Sequence, residues 1–244
     1  MRNWRGRTKI VAVAILIAWQ IGLTSLLTVG GASDSKLSAL AKMVWGLNLL
    51  WIAVFGGLSL LLRNYVADAA QRLPRKSLWA AFSVLATVLA LLEEAITTAM
   101  TNCAPIFGVQ LGEVYITASA NYLDVIFFHS VVVFIPQFAA WGLLLQRYKL
   151  SPFVVFVCYG LTGFVNEALF SGPNPLLLAQ WILVYGLLVY LPAHLFRSVN
   201  GKRIVAWWLY PLLVVAPILA SLPVVAILLL VIAPGHPSIH FPPM

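Results

Sequence analysis

Seven stretches of this chain, roughly 10–30, 39–62, 78–100, 123–145, 152–170, 176–196 and 205–232, are each long and apolar enough to cross a hydrocarbon core, which takes about 20 helical residues. Backbone in lipid must satisfy its own N–H and C=O groups, so such stretches are helices unless they close into a barrel. Barrel strands alternate in polarity over segments of about ten residues, and none do so here. Residue content agrees. The chain is 62% hydrophobic and only 9% charged, against about 25% charged in soluble domains. The expected fold class is all-α: a polytopic membrane helix bundle of seven transmembrane helices forming a single integral membrane domain over residues 1–244. The fifth span is short. The last carries Pro211, Pro217 and Pro223 and is expected to be kinked.

The basic residues set the direction of threading. Arg2, Arg5, Arg7 and Lys9 precede the first span, and Arg63, Arg72, Arg75 and Lys76 follow the second. Arg147 and Lys149 follow the fourth, and Arg197, Lys202 and Arg203 follow the sixth. Only Lys36 and Lys42 fall on the other side. The N-terminus is therefore expected to be cytoplasmic and the C-terminus, with His236 and His240, external, in a plasma or inner membrane. The net charge of +8 then orients the chain against anionic lipid and calls for no nucleic-acid partner. The basic start, apolar run and GGAS at 30–33 also read as a secretory signal, although a run of about 20 residues is long for a signal core. Cys103 and Cys158 are the two cysteines. Their expected depths differ, so no disulfide is expected. Trp79, Trp141, Trp181, Trp207 and Trp208 lie near span ends, as an interfacial aromatic belt requires.

Polar residues inside the spans are few. The third span ends in LALLEEAITTAMTN, with Glu93 and Glu94 about 22 Å from its start at 1.5 Å per residue. The fifth ends in GFVNEALF, which puts Asn166 and Glu167 at a matching depth, about 8 Å below the outer edge. The fourth runs inward and brings His129 to about 9 Å below the same edge. Asn121 and Asp124 lie just above it, and Gln180 of the sixth span is near the same level. Isolated acids facing lipid cost about 2.5–3.5 kcal/mol each at the membrane centre, so clustering is favoured. Thr97, Thr98 and Thr101 continue a polar stripe from Glu94, which marks it as the inward-facing member of its pair. The plainer reading is that Glu93 and Glu94 reach the outer headgroups, Glu167 ends a helix, His129 packs, and Asp124 serves the dipole of its helix. Asn48 reads as interhelical glue. The segments EEAI at 93–96 and NEAL at 166–169, each followed by a helix bearing Gln before an aromatic residue (Gln137, Gln180), read as a parallel repeat. The loop 101–122 has no Lys or Arg and is expected to lie in the interface or to cap the site.

Phosphate-loop, HExxH and GxSxG patterns are absent. The pair Glu93–Glu94 with His129 resembles the CPBP intramembrane proteases. Thr98 stands where that family's EExxxR pattern has Arg, Val125 where FxxxH has Phe, and no HxxxN follows. Length and span count resemble the integral-membrane terpene cyclases, in which acidic residues donate protons, without a residue-by-residue match.

The expected function is an intramembrane enzyme on a lipid-like or isoprenoid substrate, with membrane lipids as its partners. Glu94 and Glu167 act as general acid and base, with Glu93 beside them. His129 orients one of them or ligates a metal with both. Asn166, Asp124, Asn121 and Gln180 are the expected substrate contacts. The pattern names no cofactor. The alternatives are a proton- or cation-coupled transporter or channel using the same acids, disfavoured by inner half-spans almost bare of ionisable groups, and a membrane scaffold or assembly subunit.

Overall fold

The computed structural model describes residues 2–197 and 203–235, so the tail histidines lie outside the described residues. The chain is all-helical, and seven of its helical stretches are long and apolar enough to cross a membrane. Its helices are α1 (Arg2–Gly30), α2 (Ser35–Leu47), α3 (Gly56–Ala70), α4 (Leu78–Asn102), α5 (Tyr122–Phe128), α6 (Ser130–Arg147), α7 (Pro152–Ser171), α8 (Leu178–Ala193) and α9 (Tyr210–Ile227).

Two spans differ from their sequence outlines. The second is one continuous helical stretch, Ser35–Ala70, 36 residues long, or about 54 Å at the helical rise. Asp34 starts it, its Oδ1 accepting from the N–H groups of Lys36 (2.8 Å) and Leu37 (3.2 Å). Residues past Leu62 are polar enough for water yet good helix formers, so hydropathy marks where lipid would end and not where the helix does. A π-wound segment, Asn48–Phe55, joins α2 to α3. There Asn48 ties to α1, accepting from Gln20 Nε2 and donating to Thr24 Oγ1, both at 3.0 Å, in line with the glue reading. The fourth span is broken: α5 stops at Phe128 and α6 starts at Ser130, with His129 between them at φ −137° and ψ −101°.

Contacts between helix ends fix the antiparallel order. Gln146, at the end of α6, donates to the carbonyls of Arg75 and Lys76 before α4, each at 3.2 Å. Tyr148–Lys149 pairs with Arg203–Ile204 as a short parallel ladder, and Arg197 Nη1 donates to Asn64 Oδ1 at 3.0 Å. The basic turns thus share one end of the bundle. Lys36 and Lys42 lie at the other, where Lys36 pairs with Glu113 (3.6 Å) and Lys42 Nζ donates to Phe107 O (3.4 Å).

Helix α8 is the central post, buried along nearly its whole length. It packs on α7 through glycines. A Cβ at Gly160 would lie 2.6 Å from Ile182 Cα, and one at Gly163 would lie 2.2 Å from the Tyr185 ring. Trp141 is fully buried, whereas Trp207 and Trp208 are 79% and 62% exposed. Trp141 therefore belongs to the core and not to an aromatic belt, because its face of α6 turns toward α4. Cys103 and Cys158 are unpaired.

Candidate functional site

The buried face of α4 decides where its carboxylates point. Leu78, Phe82, Ala86, Leu89 and Ala90 are buried, and the same face continues as Glu93, Glu94, Thr97, Thr98 and Thr101. This is the helical repeat of one core-facing stripe. Val84, Val88 and Leu92, on the opposite face, are exposed. Glu93 and Glu94 are each only 6% exposed. They take core positions and do not reach outward to headgroups. The 100° offset between neighbours leaves both inside because the stripe is wide enough to hold two adjacent residues.

Glu94 Oε2 accepts from Thr97 Oγ1 at 3.2 Å and from Thr117 Oγ1 at 3.3 Å. Ser130 is the first residue of α6. Ser130 Oγ lies 2.6 Å from His129 Nδ1. On α7, Glu167 accepts a short hydrogen bond from the Tyr185 hydroxyl of α8. Glu167 lies within electrostatic reach of both Glu93 and Glu94, and Tyr185 within reach of all three. Three helices, α4, α7 and α8, therefore contribute to one polar cluster. Among the described residues no Lys or Arg forms an ion pair with these acids.

The loop between α4 and α5 covers the cluster. Ile116 N–H donates to Thr101 Oγ1 (3.2 Å), Asn102 Nδ2 donates to Ala120 O (2.9 Å), and Thr117 reaches Glu94. Gly108 and Gly112, at φ +94° and +91°, provide the turns that fold the loop back. Its apolar residues Ala104, Val109 and Val114 pack on Ala39 and Met43 of α2. Of the two sequence expectations for this loop, capping matches the geometry. Tyr122, just beyond it, donates its hydroxyl to Leu91 O at 2.7 Å. Burial and the neighbouring Glu94 push its phenol upward.

Glu167 also borders a cavity of about 210 Å³ between α7 and α8, with Phe164, Ala168, Asn174, Leu177 and Trp181 among its walls. That is below the range of about 300–1,000 Å³ usual for a whole ligand, and suits the reacting end of a longer molecule.

The other expected contacts stand apart. Asn121 caps α5, accepting from Leu123 N–H at 3.0 Å. Asp124 accepts from Asn121 Nδ2 (3.2 Å) and Ser119 Oγ (3.3 Å). These groups bond one another and organise the start of α5. Asn166 and Gln180 are half-buried and are not tied to the acids. The glutamines of the repeat reading are not equivalent. Gln137 is fully buried in mid-helix, donating to Ser221 Oγ and accepting from Tyr159, both at 3.1 Å, whereas Gln180 sits in the first turn of α8. Among the described residues no three His, Cys, Asp or Glu side chains are placed to hold a metal ion, so the metal-ligating role for His129 finds no ligand set.

Sequence reasoning missed Tyr185, Ser130 and Thr117. Tyr185 was findable in principle, since a helical hairpin turning at 171–177 sets residue 167 across from the second or third turn of α8. Ser130 and Thr117 depend on a helix break and a loop path that no periodicity records. No family model, curated protein or solved structure matches the chain, so the functional reading stands on this geometry.

Proposed function

We propose that the chain is an intramembrane enzyme acting on a lipid-like or isoprenoid substrate that enters from the outer leaflet, with the N-terminus cytoplasmic. The observation that carries this reading is a cluster of three carboxyls, Glu93 and Glu94 buried and Glu167 half-buried, with no Lys or Arg ion pair among the described residues. Such a group shares protons among its members, which is the property general acid–base work needs. Glu94 and Glu167 serve as acid and base. Tyr185 holds Glu167, Thr97 and Thr117 hold Glu94, and the loop excludes water. The substrate's chain stays in the bilayer while its reacting end enters the cavity beside Glu167.

A specific observation favours the transporter as second reading. The bundle interior is less bare than the sequence implies. Gln137, Tyr159, Thr162 and Ser221 are buried between the acids and the basic end, and His194 is buried nearer that end. These groups offer stations for a proton or cation.

The test uses the purified chain in vesicles containing a panel of polar lipids and isoprenoids, followed by mass spectrometry, with proton flux recorded in parallel. Conversion of a lipid that disappears in Glu94→Gln and Glu167→Gln supports the enzyme. Flux lost in the same variants, with every lipid unchanged, overturns it in favour of transport.

A further inference from the structure

Ser130 places a hydroxyl against a group able to take its proton. Its Oγ lies 2.6 Å from His129 Nδ1. The break at His129 makes Ser130 the first residue of α6, so the serine stands at a helix start and not along a continuous helix. A helix start has N–H groups without intrahelical acceptors and a partial positive charge, both suited to an oxyanion. Ser130 and His129 are half-buried and so reachable, whereas Glu93 and Glu94 behind them are buried.

We propose that Ser130 is a nucleophile of this site and that its substrates are ester-linked acyl lipids, an inference that rests on the enzymatic reading above. Ser130 Oγ attacks the ester carbonyl carbon, and the new C–O bond forms as its proton passes to His129 Nδ1. The carbonyl oxygen becomes the oxyanion at the start of α6. Collapse breaks the ester C–O bond, and the proton on His129 goes to the departing alcohol oxygen, leaving acyl-Ser130. A water molecule then attacks the acyl carbon, giving its proton to His129. The acyl–serine bond breaks, Ser130 recovers the proton, and a free carboxylic acid leaves.

The experiment incubates the full chain, purified in detergent, with an alkyl fluorophosphonate and reads adducts by intact mass and peptide mapping. The expected result is one adduct on Ser130, absent in Ser130→Ala and formed at least about 100-fold more slowly in His129→Gln, with thermal unfolding showing that both variants are folded. No adduct on wild-type Ser130, or equal labelling in His129→Gln, overturns the proposal. Lipid conversion that survives in Ser130→Ala but is lost in Glu167→Gln also overturns the nucleophile while leaving the acid–base reading intact. Conversion lost in both variants, with Ser130 labelled, supports it.

Discussion

Glu167→Gln is expected to slow turnover by about 100-fold or more while leaving the bundle as stable as the parent. The amide has nearly the shape of the acid and keeps an oxygen to accept from the Tyr185 hydroxyl. What it loses is the exchangeable proton, and positioned acid–base groups contribute roughly 10²–10⁴-fold. Stability does not fall, because the substitution also removes an acid that neighbours two buried ones, and buried charge is costly. Thermal unfolding together with turnover separates this from a packing role. If the acids only packed helices, turnover and melting temperature would fall together. Tyr185→Phe provides an intermediate case, removing one hydrogen bond to a charged partner worth about 1.5–3 kcal/mol.

The second large effect lies in the α7–α8 seam. Gly160→Leu should unfold the hairpin in detergent at a much lower temperature and also abolish function. The first carbon of any side chain at Gly160 meets Ile182 Cα at 2.6 Å and Ile182 O at 2.8 Å. Those atoms are backbone and cannot rotate away, so the helices must separate. Overpacking costs about 1–3 kcal/mol and occasionally more. Separation also pulls Tyr185 from Glu167, which lie on the two helices of the seam. Gly57→Leu is the control, because nothing lies within 4 Å of a Cβ there, and it should melt as the parent does.

Particular residues show how far the sequence could be read. Span number and approximate position followed from hydropathy, since about 20 apolar residues have few other uses in a chain so poor in charge. The similar depth of Glu94 and Glu167 was reachable, because antiparallel spans of known length align their levels. Which faces turn inward was not, since helix rotation depends on packing, and here the core stripe of α4 sets it. Asn121 and Asp124 were drawn toward the site by depth alone, whereas locally Asn121 caps the start of α5 and Asp124 accepts from the Asn121 and Ser119 side chains. The break at His129 left no proline or glycine as a signal. The buried Gln137–Tyr159–Ser221 contact joins residues of three helices and is invisible to any local pattern.

The acids of α4 and α7 lie within electrostatic reach of one another, and a cysteine pair tests that proximity most directly. With Cys103 and Cys158 replaced by Ala, Glu94→Cys combined with Glu167→Cys is treated in membranes with a short bifunctional thiol reagent. A second pair, Glu167→Cys with Ala81→Cys, serves as comparison, since Ala81 lies near the opposite end of α4. Proximity of the two acids predicts an intramolecular link in the first pair and none in the second. Links absent from the first pair, while each single cysteine still reacts with a monofunctional reagent, would contradict it.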